Sequence, residues 1–88
     1  MQSSNNIRSF RQKLDNIHSW PSLYMFKFIV PVGKESEIER LFPGNELSKK
    51  ESSKGNYVSV TAKILMNSSD AVIDIYKKAT QVEGVIAL

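Results

Sequence analysis

One stretch constrains this chain more than any other. A polar turn, Ser52-Ser53-Lys54-Gly55-Asn56, runs straight into Tyr57-Val58-Ser59-Val60-Thr61-Ala62-Lys63-Ile64. Side chains of a strand point alternately to opposite faces. Val58, Val60, Ala62 and Ile64 therefore share one face, and Tyr57, Ser59, Thr61 and Lys63 the other. That pattern belongs to a sheet buried on one side only. Glycine beside asparagine suits the positive φ of a tight turn, which makes the strand the second arm of a hairpin. The mixed second face is where a binding function is expected.

Size narrows the architecture further. The chain has 88 residues, and a chain of that length buries only about 60 to 65% of its unfolded surface, enough for one two-layer core. With no cysteine, there is no disulfide framework, thiolate metal site or thiol nucleophile, which fits a reducing compartment. Met1-Gln2-Ser3-Ser4-Asn5-Asn6 lacks the basic start and apolar run of a signal peptide. No apolar stretch approaches the roughly 20 residues that span a bilayer. The expectation is a soluble cytoplasmic protein without membrane contact.

Twelve Lys and Arg against nine Asp and Glu give a formal charge of +3. The basic residues form only small local groups: Arg8, Arg11 and Lys13; Lys49, Lys50 and Lys54; Lys77 and Lys78. Nucleic-acid binding usually rests on a concentrated basic footprint, so nucleic acid is not the expected partner.

Along the chain, Ile7, Phe10, Leu14 and Ile17 recur at helical steps with polar residues between them, predicting an amphipathic helix of about three turns. It should end near His18 and Ser19, because a residue preceding proline, here Trp20 before Pro21, disfavours helical geometry. Leu23 to Val30 is rich in aromatic and branched residues and reads as a strand. Lys27 in its middle predicts one face that is not dry. Lys34 to Phe42 carries Ile38, Leu41 and Phe42 at helical spacing and is stopped by Pro43-Gly44. Asn45 to Glu51 is a polar strand at a sheet edge, where Lys49 and Lys50 would discourage further pairing.

Asn67-Ser68-Ser69-Asp70 supplies an N-cap and a carboxylate for the next helix, whose buried stripe should be Val72, Ile75, Tyr76 and Ala79. Gly84 ends it, and Val85 to Leu88 is a last short strand. The order βαββαβ, with right-handed crossovers, places the first and third strands at the centre of an antiparallel four-stranded sheet with two helices on one face. The fold class is thus α+β and ferredoxin-like, preceded by an extra amphipathic helix. Residues 1–19 form that helix and its lead-in, and 20–88 the domain. The extra helix has three places to go: its own domain, the open sheet face, or a neighbouring molecule.

Several segments together resemble the YbeD-like family of small bacterial proteins of unknown function. They are Trp20-Pro21-Ser22, Phe26-Lys27-Phe28-Ile29, Ser52 to Val60, Ile75-Tyr76 and Gly84 to Leu88. The likeness runs from about Ser19 to Leu88. The chain departs from the family pattern in a shorter first domain helix, in Pro31-Val32-Gly33 after the first strand, and in the added N-terminal helix. The resemblance implies a ferredoxin-like fold similar to ACT-type regulatory domains, with no established activity. Such folds host many unrelated functions.

The candidate binding residues are Lys27, Ser52, Ser53, Lys54, Gly55, Asn56, Tyr57 and Ser59. Hydroxyls, amides and a lysine at the turn would suit a phosphate or carboxylate, although a tight hairpin needs the same residues for its shape, and the spacing of a nucleotide P-loop is absent. Lys54-Gly55 with Tyr57-Val58 shares part of the third-strand signature of RNA-recognition motifs. Ser59 and Thr61 stand where stacking rings are needed. Met25, Ile29 and Leu65 add apolar area to the open face.

His18 reads as a helix-end or packing residue. Glu35 with Glu39, and Asp70 with Asp74, read as solvated helix faces. No catalytic set and no cofactor or metal site is expected. The preferred function is a non-enzymatic regulatory or interaction module. It binds a small anionic ligand or a protein through the sheet face or the Ser52–Tyr57 turn, with homodimerisation through that face or the N-terminal helix as a further expectation. The alternative is a small enzyme acting on a phosphate or acyl group at the turn.

Overall fold

The computed structural model describes residues 2–88; Met1, the first residue of the N-terminal segment, lies outside them. Helix α1 spans Gln2–Ile17, followed by β1 (Ser22–Pro31), α2 (Glu35–Glu39), β2 (Ser48–Glu51), β3 (Tyr57–Met66), α3 (Ser69–Ala79) and β4 (Ile86–Ala87). The strands form one antiparallel sheet in the order β2-β3-β1-β4, the ferredoxin-like arrangement read from the sequence.

The centre of the sheet is a ten-residue ladder in which Ser22 to Pro31 face Met66 to Tyr57. The register fixes which side chains share a face. Phe26 lies opposite Ala62, Phe28 opposite Val60 and Val30 opposite Val58, and all six are buried. Onto them pack Ile38 of α2, Phe42 just beyond it, and Val72, Ile73 and Ala79 of α3. Phe26 is central to the aromatic contacts, with Tyr24, Phe28, Phe42 and Tyr76 all within 6.2 Å of its ring centre.

Helix α1 takes the first of its three possible places. It lies antiparallel to α3 on the helix side of the sheet: Leu14 enters the common core, Phe10 meets Tyr76 edge-on at 5.6 Å, and Arg11 pairs with Asp70 at 2.8 Å. The helix begins at Gln2 rather than near Ile7, so it is longer than the apolar stripe alone predicted. Ile17, expected in that stripe, is 76% exposed, so the buried stripe of the helix stops at Leu14. His18 sits at the helix end as expected, with Nδ1 2.8 Å from Ser22 Oγ and its ring stacked on Trp20.

Other boundaries contract. Helix α2 is five residues long and gives way to turns before Phe42. Strand β2 starts at Ser48, not Asn45, and β4 holds only Ile86 and Ala87. In α3 the N-cap is Ser68, whose side chain accepts a hydrogen bond from the Ala71 amide. The buried face includes Ile73, which the predicted stripe omitted, while Ile75 and Tyr76 of that stripe are half-buried. Gly84 has φ +79°, and a Cβ there would come within 2.8 Å of the Pro31 ring. The glycine lets the chain leaving α3 fold tightly over the end of β1.

Candidate functional site

With α1, α2 and α3 all on one side, the other face of the sheet is bare. Along β1 it presents Leu23, Met25, Lys27 and Ile29, and along β3 it presents Tyr57, Ser59, Thr61, Lys63 and Leu65. Residues directly opposite in an antiparallel pair share a face. Lys50 faces Ser59, Ser48 faces Thr61 and Ile86 faces Ile29, so β2 and β4 add Ser48, Lys50 and Ile86. Leu88 continues the last row, its amide donating to the Lys27 carbonyl at 2.9 Å.

The result is a field of large apolar side chains held in water. Leu23 is 65% exposed, Leu65 60% and Met25 54%, with Ile86 and Leu88 also exposed. Set among them are Lys27, Lys50 and Lys63, with no aspartate or glutamate at any of these face positions. The cations alternate with apolar groups across strands as well as along them: Lys63 stands opposite Met25, and Lys27 stands opposite Thr61, two residues from Met25 and from Ile29.

The helix side is different. Among the described residues the ion pairs are Arg11–Asp70, Lys34–Glu37, Lys49–Glu39 and Lys78–Asp74. All lie on helices, on the segments next to them, or on the helix-side position of β2. The contact with Glu39 raises the Lys49 pKa. Glu35 accepts a hydrogen bond from the Gly33 amide, and hydrogen bonds from its own and that amide hold its carboxyl below the usual range. Asp15 is likewise lowered, first by the Trp20 indole N–H that donates to it at 3.0 Å. The four carboxylates read as solvated helix faces, Glu35, Glu39, Asp70 and Asp74, are each engaged in one of these contacts.

At one end of the open face the hairpin makes a shallow hollow of about 360 Å³. Ser52, Ser53, Tyr57 and Ser59 of the sequence-derived set line it, joined by Ile29, Lys50 and Glu51. Lys54, Gly55 and Asn56 do not line it, nor does Lys27, which lies farther along the sheet. Lys50 is the cation that the sequence reading assigned only to edge protection. Its pairing opposite Ser59 is the signal that places it beside the hollow.

Much of the turn's polar capacity is spent on its own geometry. The Ser52 amide donates to the Tyr57 carbonyl at 2.8 Å, the Gly55 amide donates to the Ser52 carbonyl at 2.9 Å, and the Tyr57 amide donates to Ser52 Oγ at 3.3 Å. Asn56 accepts from the Val32 amide through its carbonyl, tying the turn to the end of β1. Gly55, with φ +72°, is there for the bend. No group of three or more His, Asp or Glu side chains that could hold a metal ion occurs among the described residues. None of the described helices is long and apolar enough to cross a membrane.

The sequence that builds this sheet matches a known family over most of its length. The chain belongs to DUF493, a family of proteins of unknown function, whose profile covers residues 15–88. This is the YbeD-like family that the residues of the turn and of β1 resemble. No curated protein and no solved structure gives a significant match to the chain.

Proposed function

We propose that this protein is a non-enzymatic interaction module that docks a protein partner on its open sheet face. The observation that carries this reading is the contiguous field of Leu23, Met25, Leu65, Ile86 and Leu88 left in water on the side away from all three helices. Exposed apolar groups gathered on one surface mark contact sites more often than they mark ordinary surface. Because α1 packs on the opposite side, against α3, none of the described helices serves as the cover.

A small ligand is the weaker occupant. The hollow beside Ser59 is open to solvent and takes up only one corner of the face, whereas metabolite sites enclose most of their ligand. A second copy of the chain is weaker too, because two such faces placed together would gather Lys27, Lys50 and Lys63 of both copies into one interface with no carboxylate at the face positions to pair them. The engagement of the Ser52 hydroxyl by the Tyr57 amide supports a turn that shapes the hairpin rather than one that performs chemistry.

A photo-crosslinking amino acid placed at Met25 in living cells tests the reading, with the same residue placed at Lys78 on the helix side as control. A discrete adduct containing a different protein, formed from the Met25 position only, is the expected result. An adduct of the chain with itself, equal labelling from both positions, or no adduct from Met25 would reject the reading.

A further inference from the structure

The charge pattern of the face specifies its partner, provided that the face is the docking surface proposed above. Three lysines project from three different strands, Lys27 of β1, Lys50 of β2 and Lys63 of β3, and none of them takes part in an ion pair among the described residues. The neighbouring Lys49, one residue from Lys50 but on the other face, is paired with Glu39. Every ion pair among the described residues thus lies on the helix side, and the face positions of the four strands carry no carboxylate, Glu51 standing only at the rim of the hollow.

We infer that the open face binds an acidic amphipathic protein segment, one whose carboxylates meet Lys27, Lys50 and Lys63 while its apolar side chains meet Leu23, Met25, Leu65 and Ile86. Burying an apolar field that contains unpaired ammonium groups is costly unless opposite charges arrive with the partner. The placement of the lysines decides between anionic partners. They stand inside the apolar field, with Lys63 opposite Met25 and Lys27 between Met25 and Ile29, so each can meet a carboxylate set between the partner's own apolar groups. A lipid surface would have to take the ammonium groups down with the leucines. A single-stranded nucleic acid would need stacking rings, and Tyr57 is the one aromatic side chain among the face positions.

The test uses the full chain labelled with 15N and four probes. These are a synthetic peptide alternating Glu-rich and Leu-rich turns, its counterpart with Lys for Glu, a single-stranded oligonucleotide, and vesicles of mixed neutral and anionic phospholipid. The acidic peptide is expected to shift the amide resonances of β1 and β3, with affinity falling roughly tenfold when salt is raised from about 50 to about 300 mM. The basic peptide should bind at least about tenfold more weakly. Combining Lys27→Glu and Lys63→Glu should reverse that preference while leaving the spectrum folded, and Lys27→Gln with Lys63→Gln should weaken acidic-peptide binding without reversing it.

Face-centred shifts of equal size for both peptides would overturn the inference about charge yet leave the docking surface standing. Shifts confined to α1 and α3 would overturn both. Stronger binding of the oligonucleotide or the vesicles, or no shift with any probe, would overturn the inference.

Discussion

The two faces of one sheet are built from the same strands and live under opposite rules. On the helix side Phe26, Phe28, Val30, Val60 and Val72 have no exposed surface, and all four ion pairs among the described residues are found there. On the open side, residues one position away in sequence, such as Met25 beside Phe26, stand in water beside unmatched lysines. The difference teaches that hydrophobicity alone does not mark the core here. What separates Met25 from Phe26 is the parity of position along a strand and which side the helices choose.

The largest expected effect tests that separation directly. Phe26→Ala should cost about 3–5 kcal/mol in urea unfolding, through lost burial and the cavity left among four aromatic neighbours. Met25→Ala, on the adjacent residue, should stay within about 0.5 kcal/mol. Comparable losses at both positions would mean that the open face is covered in the free protein.

Next in size is the closure of the helix side over β1. Gly84→Ala places a Cβ against the Pro31 ring at a positive φ, and should cost about 1–3 kcal/mol by thermal or urea unfolding. The same substitution at Gly55, where the added Cβ meets nothing within 4 Å, carries only the backbone cost and should be the milder of the two.

A smaller effect comes from Tyr76. Burial, then the hydrogen bond with the Tyr24 hydroxyl at 2.9 Å, push its phenol pKa well above the ordinary 10.0. Its neutral form therefore persists in the folded state at pH values where the unfolded chain ionises. The associated stability is fully present below about pH 10 and is lost progressively as pH rises above it. Tyr76→Phe should cost about 1 kcal/mol near neutral pH and flatten the alkaline decline. A decline of unchanged steepness would place its origin in another group.

The smallest expected effect is at Lys63. Lys63→Gln should leave unfolding stability within about 0.5 kcal/mol, because no carboxylate of the chain pairs with it. A larger loss would mean that this lysine has a structural role and would weaken its assignment to a partner.

The strand order, the one-sided burial of β3 and the N-cap at Ser68 were legible because each follows from a local signal: alternation, turn chemistry, a hydroxyl before a helix. The position of α1 was not legible. An amphipathic stripe states that a surface will be covered without naming which one, and here the match of Leu14 and Phe10 to the α3 side of the core settled it. Ile17 continued the stripe in sequence, yet the buried stripe stops at Leu14. For the candidate site, Ser52, Ser53, Tyr57 and Ser59 were found together because they are close in the chain. Lys50 was missed as part of the hollow because its place depends on the register of a weak edge strand, and that register is a pairing between segments rather than a property of either one.

Strand β4 pairs with β1 only at Phe28 and Ile29, with Leu88 reaching back to the Lys27 carbonyl. The amides of Met25 and Leu23 point the same way as that of Lys27, into the region beyond this pairing, whereas Tyr24 and Phe26 face β3. In deuterated solvent β1 should therefore divide against itself: Tyr24 and Phe26 hold their amide hydrogens until the sheet opens, and Leu23 and Met25 exchange theirs early. One continuous strand is thus an interior strand over its second half and a sheet margin over its first.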